Sequence, residues 1–264
     1  MSRLTLAVVV LGVAAAAATA HEIKVLASQQ AVAEAGGKCT VYLSWGHRVP
    51  VDDLIDAATL ERYDLLPPAG DPTPLKAADT SLQANSVPLK AAGVYQAVAV
   101  RKPSVITYVI DKEGERVMKR GGKSAATGGT VDSALRSVQA GKAIIVVGPA
   151  GEEAVKPAGL PVEIVPLDPP AKWKANADLK FQVLVNGKAV TTAPMVEARV
   201  IGFKPDNAWG YSTHADKTGT ATVCPDKAGT WVLKVNVKVP AAEADRKEFD
   251  QESFTATLTL EVAP

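Results

Sequence analysis

LKFQVLVNGKAV, residues 179–190, is the stretch of sequence that decides the fold. Asn186-Gly187 stands between two arms in which apolar and polar residues alternate. Such alternation is typical of a half-buried strand, and Asn-Gly is the strongest short signal for a two-residue hairpin turn. The stretch therefore predicts a β-hairpin within an antiparallel sheet.

Further stretches on the C-terminal side have the composition of strands, and turn sequences at residues 216–219 and 226–229 separate some of them. Their spacing is that of an all-β sandwich. We expect residues 161–264 to form an Ig-like β-sandwich domain. The predicted strands are MVEARVIGF (195–203), GTATVC (219–224), TWVLKVNVKV (230–239) and FTATLTLEV (254–262).

The N-terminal side also consists mainly of predicted strands. KCTVYLSWG (38–46) alternates with period two, and KAIIVVG (142–148) is an apolar run typical of a strand buried on both faces. GVYQAVAV (93–100) and VITYVID (105–111) are predicted as two strands, because Lys102-Pro103 between them suits a connection or a sheet edge.

One short helix and one domain boundary complete the predicted architecture. Val131, Leu135 and Val138 fall near one face of a helix, which predicts a helix over residues 131–140. Prolines from Pro161 to Pro170 favour extended chain between domains. We therefore expect a mainly all-β protein with two β-sandwich-like domains, residues 21–160 and 161–264.

Residues 1–20 have the three regions of an export signal. Arg3 is the positive residue, residues 4–18 are an apolar run, and Ala18-Thr19-Ala20 is a small-residue cleavage site. The apolar run is short for a membrane span. We expect cleavage after Ala20, a mature chain that begins at His21, a periplasmic location, and no membrane span after cleavage.

Composition excludes several function classes. The chain has 29 Lys and Arg against 28 Asp and Glu, so it lacks the basic footprint of a nucleic-acid-binding protein. It also lacks a nucleophile elbow, an H-E-x-x-H motif, a C-x-x-C motif and a Rossmann glycine fingerprint. We therefore expect no enzyme. Cys39 and Cys224 are too far apart in sequence for a redox pair, and both a disulfide and two free thiols stay open.

The three histidines are the candidate metal ligands: His21, His47 and His214. An N-terminal histidine offers its α-amine and Nδ1 to one metal ion, and these group types lose protons at reference pKa values of about 7.7–8.0 and 6.5. His47 follows a strand directly, where we expect its loop to approach His21. His214 precedes a turn and has Asp216 as a carboxylate neighbour.

Several segments together resemble a known bacterial family. They are HEIKVLA (21–27), GKCTVYLSWGHRVP (37–50), AGVYQAVAVRK (92–102), GLPVEIVPLDPP (159–170), LKFQVLVNGKAV (179–190) and TGTATVCPDKAGTWVLKVN (218–236). The chain resembles a periplasmic family of unknown function that is often labelled NikM-like, a periplasmic component of nickel or cobalt uptake. The resemblance implies a metal ion, and a membrane uptake complex or outer-membrane receptor, as partners.

Three function classes follow from these residues. The first is a periplasmic metal-binding accessory protein that presents nickel, cobalt or copper for uptake, since imidazole suits these metals. The second is a non-catalytic interaction or carbohydrate-binding module associated with an outer-membrane system, for which Trp209-Gly210-Tyr211 is the aromatic cluster of interest. The third is a copper oxygenase with an N-terminal histidine brace. The first class is the leading hypothesis.

The predicted processing can be tested by intact-mass analysis of the exported protein. We expect the mass of a chain that begins at His21, because the small-residue site ends at Ala20. A retained signal, or cleavage two residues away, would remove the free His21 amine and contradict the predicted chelate.

Overall fold

The structure is a computed structural model that describes residues 21–50, 52–149, 151–202 and 209–264. The predicted signal and its cleavage site lie outside these ranges. Across them, none of the helices has the length and apolar character needed to cross a membrane.

The described ranges contain strands and short 3-10 turns, with no α-helix, which confirms the all-β prediction. The turns are Ala57–Thr59, Lys123–Ala125, Pro170–Lys172 and Glu243–Asp245. The strands are β1 (Glu22–Ala27), β2 (Ala31–Val32), β3 (Lys38–Gly46), β4 (Ile55–Asp56), β5 (Leu60–Leu66), β6 (Thr73–Pro74), β7 (Thr80–Ser81), β8 (Ala84–Pro88), β9 (Gly93–Asp111), β10 (Arg116–Arg120), β11 (Gly129–Val147), β12 (Val162–Pro166), β13 (Leu179–Val185), β14 (Lys188–Ala189), β15 (Met195–Val200), β16 (Tyr211–His214), β17 (Thr220–Val223), β18 (Gly229–Pro240) and β19 (Gln251–Val262).

The predicted helix over residues 131–140 is wrong, because this segment belongs to β11. β11 pairs antiparallel with β9 along its length and parallel with β19 from Leu135 to Ala143. Hydrogen bonds to two neighbouring strands outweigh a local preference for helix. Val131, which suggested the helical face, lies at the exposed end of the strand.

The two strands predicted on either side of Lys102-Pro103 are one continuous strand, β9. Ser104 pairs with Ser137 and Arg101 pairs with Gln139, so two residues of β9 oppose the single residue between them on β11. This bulge accommodates a proline, which has no N–H to donate to the ladder.

The strands form three layers. The central layer is a ten-stranded sheet whose main order is β16-β15-β18-β19-β11-β9-β5-β6. The sheet β1-β3-β8 covers part of one face of the central sheet. The sheet of β12, β13, β14 and β17 covers the opposite face of the central sheet. Successive residues of β9 point to opposite faces. Ala97 and Ala99 therefore join one core, and Val98 and Val100 join the other.

The C-terminal segment is a β-sandwich, as the sequence predicts. β13 and β14 form the predicted hairpin, and Asn186 and Gly187 have φ values of 49° and 73°. Two positive φ values in a two-residue loop are the signature of the type I′ turn. The central sheet continues into residues 21–160 through the β11–β19 pair, and the predicted division into two domains stays a prediction.

The cysteines do not form a disulfide: Cys39 and Cys224 are free thiols. Cys39 is buried in the core between β1-β3-β8 and the central sheet, and burial raises the pKa of its thiol to about 11. A thiol in this state is inert toward metal and oxidant.

A buried ion pair links the central sheet to the sheet of β12. Lys142 Nζ donates to Glu163 Oε1 at 2.6 Å, and both side chains are almost fully buried. The same oxygen accepts from the Ala158 N–H at 2.7 Å. Burial lowers the pKa of Lys142, and Glu163 opposes that shift.

Removing one partner of this pair should destabilise the protein strongly. Lys142→Met leaves the Glu163 carboxylate buried without its cation, and we expect a loss of about 3–5 kcal/mol in the free energy of unfolding. Lys142→Met with Glu163→Gln should recover much of that loss, because the amide is neutral and still accepts from Ala158. Urea unfolding measures both variants. A single variant as stable as the parent would contradict this account.

Candidate metal centre

The pairing of β1 with β3 brings two of the three candidate histidines together. The antiparallel register runs from Ala27↔Val41 to Glu22↔Gly46, so His21 and His47 occupy the next pair of opposed positions. Their ring centroids are 4.5 Å apart, at an interplanar angle of 66°. The expected approach of these two residues is therefore confirmed.

Side chains of the central sheet fix the position of β1. Gln139 Nε2 donates to the His21 carbonyl at 2.9 Å, Thr257 Oγ1 to the Ile23 carbonyl at 2.7 Å, and Thr259 Oγ1 to the Val25 carbonyl at 2.8 Å. These bonds satisfy carbonyl groups on the side of β1 that faces away from its strand partner. His21 is held from two directions, by β3 and by the sheet beneath it.

The loop that carries His47 depends on Asp52. The Asp52 carboxylate accepts the backbone N–H of His47 at 2.7 Å and that of Arg48 at 3.2 Å. Burial alone would raise the pKa of Asp52, but these two hydrogen bonds bring it below its ordinary value. Gly46 has a φ of 115°, and a Cβ there would lie 2.3 Å from Asp52 Oδ2, so a side chain at this position would displace the carboxylate.

The surroundings of His47 favour its neutral form. Burial lowers the pKa of the imidazole most, and His21 and Lys24 act in the same direction. Glu22 and Asp52 act in the opposite direction without reversing the shift. A neutral imidazole has the free lone pair that metal binding requires.

Buried charges lie next to the two histidines. Lys24 is fully buried, and its Nζ lies 2.5 Å from the Gly46 carbonyl and 3.3 Å from the Glu22 carboxylate. Burial lowers the pKa of Lys24, and Glu22 opposes this. Lys234 bridges Glu22 at 3.8 Å and Glu197 at 2.9 Å. Lys24 thereby fixes the carbonyl directly before His47.

Sequence reasoning missed this charge network. Its one available signal is the pair of charges in the strand EIKVLA, where Glu22 and Lys24 alternate with apolar residues. Such alternation normally indicates a solvent-exposed strand face, but β1 packs against β11 and β19 of the central sheet and both residues are buried.

Aromatic residues divide between the core and the site. Trp173 and Trp231 are buried in the C-terminal core. Trp45 and His21 meet edge to face, with ring centroids 5.6 Å apart, and Arg101 lies over the Trp45 ring, 3.9 Å from its centroid. Trp209 lies 4.8 Å from Lys234 Nζ and is half-buried.

His214 is not brought to the other two histidines. It lies at the exposed end of β16, opposite Met195. The carboxylate of its neighbour Asp216 accepts from the Thr218 and Thr220 N–H groups at 2.7 and 3.0 Å. In the part of the chain that the structure describes, no three His, Cys, Asp or Glu side chains form a metal-binding group. His21 and His47 are therefore adjacent imidazoles, and His214 lies apart from them.

Comparison with solved structures finds distant all-β proteins. The D0-D1 domain of Intimin is 12% identical, with 91% of this chain and 98% of that chain covered, at a TM-score of 0.22. The two tandem V-type regions of the chitin-binding protein VCBP3 are 10% identical, with 89% and 99% covered, at a TM-score of 0.21. Scores this low support no argument about function. No curated protein matches the chain.

A family model matches residues 18–239, which include both histidines of the pair and most of the C-terminal sandwich. Its description is a domain of unknown function, DUF4198. Because the match extends over most of the chain, the protein belongs to the DUF4198 family.

Proposed function

We propose that the protein is a periplasmic metal-binding accessory protein that holds nickel, cobalt or copper through its mature N-terminal histidine. One observation carries the proposal. The residue expected to become the N-terminus, His21, has its ring 4.5 Å from the ring of His47. In this proposal His47 is the second ligand residue.

The donor set expected after cleavage consists of three nitrogens: the His21 amine, the His21 imidazole and the His47 imidazole. Two of them belong to one residue and close a chelate ring. Nitrogen donors of this kind suit copper, nickel and zinc, and the intrinsic order of affinity places copper above nickel and cobalt. Copper is therefore the first metal to test.

The surrounding residues support this use of the pair. Gln139 engages the His21 carbonyl, which leaves the amine and the ring for other partners. Asp52 holds the backbone at His47, and burial keeps the pKa of the His47 ring low. Each contact orients a donor without using its lone pair, which is the role of outer residues around metal ligands.

Delivery to an uptake system is the wider form of the proposal. The sequence resembles the family labelled NikM-like, and a membrane uptake complex or an outer-membrane receptor would then receive the metal. His214 would add a ligand only from a second molecule or after rearrangement, since it lies exposed on β16.

A non-catalytic interaction or carbohydrate-binding module is the second candidate. Trp209 and Tyr211 are both half-buried near the β16 edge of the central sheet. Aromatic rings with one open face are suited to sugar or protein contacts. If the histidine pair binds no metal, the interaction or carbohydrate-binding module becomes the leading hypothesis.

A single added residue tests the N-terminal chelate. We compare the chain that begins at His21 with the same chain carrying one extra N-terminal glycine, which keeps the imidazole and moves the amine. We expect the extension to weaken copper binding at least about tenfold, which corresponds to about 1.4 kcal/mol. Calorimetric titration with copper and nickel measures this. Binding to the authentic chain should also weaken below about pH 6, where imidazoles take up protons.

Two histidine variants are the matched controls. His47→Ala should weaken copper binding, because it removes the third nitrogen, whereas His214→Ala should leave the affinity unchanged. Equal affinity of the extended and authentic chains would show that the amine is not a ligand. A loss with His214→Ala comparable to that with His47→Ala would contradict the proposed ligand pair.

A further inference from the structure

Arg101 is linked to the histidine pair through Trp45 and Gln139. It lies on β9 opposite Gln139, the residue that binds the His21 carbonyl. Its guanidinium carbon is 3.9 Å from the centroid of the Trp45 ring, and that ring makes a T-shaped contact with His21. A cation over an indole face is attracted by the ring, which fixes its position.

Arg101 has no acidic partner within the described ranges, whereas three other strand arginines do. Arg62 pairs with Asp64, Arg116 with Asp132, and Arg136 with Glu252. Arg101 Nε is buried and has no hydrogen-bond partner in the described structure, and the same holds for Oε1 of the adjacent Gln139. Two residues that are paired across β9 and β11, one of which binds the His21 carbonyl, therefore carry a donor and an acceptor that lack partners.

The surroundings of Arg101 disfavour its positive charge unless an anion lies beside it. Burial lowers the pKa of Arg101 most, and the second cause is another cation, Arg120. The acids nearest the histidines are engaged elsewhere: Glu22 with Lys24, and Asp52 with the N–H groups of His47 and Arg48. A half-buried guanidinium of this kind is stabilised when a carboxylate arrives, because the planar fork binds it with two hydrogen bonds.

The proposed metal site would also be stabilised by an anion. Its three nitrogen donors are neutral, so a divalent metal would keep its full charge, and Arg101 brings a second positive charge to Trp45, the indole that contacts His21. An anion that bonds the metal with some oxygens and Arg101 with others would neutralise both. A small polycarboxylate has this property, because its oxygens bind divalent metals and it keeps a further carboxylate free.

We propose that Arg101 binds a carboxylate of the metal's own co-ligand, so that the site receives the metal as a complex with a small polycarboxylate. This inference rests on the proposed function and names the form in which the metal is bound. Arg101 acts here as a ligand-binding residue, and the indole of Trp45 positions it.

The test uses the chain that begins at His21, loaded with copper, and citrate as the probe. Electron paramagnetic resonance follows the copper spectrum as citrate is added, and gel filtration shows whether the copper stays with the protein. We expect a changed spectrum with the copper retained. Arg101→Gln should weaken citrate binding at least about tenfold while copper binding alone changes little, and Arg101→Lys should be intermediate, because lysine keeps the charge without the fork.

Arg116→Gln is the matched control. Arg116 also lies over an aromatic ring, 3.7 Å from the centroid of Tyr108, but it is paired with Asp132. Tyr108 is roughly 23 Å further along β9 from Arg101 at the usual rise of a strand. We expect this variant to bind citrate like the parent.

The outcomes separate the two proposals. If copper binds and citrate binds equally to the parent and to Arg101→Gln, or strips the copper from both, the inference is overturned and the proposed function stands. If the authentic chain binds neither copper nor nickel, the proposed function fails and the inference fails with it. If Arg101→Gln does not fold, Arg101→Lys decides: unchanged citrate binding by that variant overturns the role of the fork.

Discussion

Three side-chain hydrogen bonds from the central sheet to the backbone of β1 are the interaction on which the candidate site depends. Gln139, Thr257 and Thr259 reach the carbonyls of His21, Ile23 and Val25. β1 also pairs with β3 along its whole length. β1 is therefore hydrogen-bonded on both of its sides, and these bonds place His21 opposite His47. The sheet beneath β1 leaves space for this approach at Gly141, where a Cβ would lie 3.1 Å from the Ile23 carbonyl.

The sequence predicts the parts of this architecture that local patterns control. The Asn186-Gly187 turn requires two positive φ values, which few residue pairs adopt, and it is found as expected. The proximity of His21 and His47 also follows from the sequence pattern. His21 precedes one strand and His47 follows another, and neighbouring antiparallel strands bring such residues together. The helix over residues 131–140 fails for the opposite reason. Its partners, β9 and β19, are distant in sequence, and the β19 pairing reaches residues 251–259.

Local sequence patterns also fail to predict the charged interactions around the site. No sequence pattern predicts that Lys24 and Lys142 are buried beside Glu22 and Glu163, yet both ion pairs lie inside the protein. Arg101 likewise gives no signal in the sequence. Arg101 matters because the fold places it over an indole and, among the described residues, pairs it with no carboxylate. Such positions depend on long-range strand pairing, which single-sequence patterns do not encode.

Anomalous X-ray scattering from crystals of the copper-loaded chain that begins at His21 tests the central claim most directly. The account predicts one copper peak at about 2.0 Å from each of three nitrogens, the α-amine of His21, a ring nitrogen of His21 and a ring nitrogen of His47. Removing the His47 ring should leave the peak weaker and bound by His21 alone. A peak at His214, or no peak within bonding distance of the His21 amine, would contradict it.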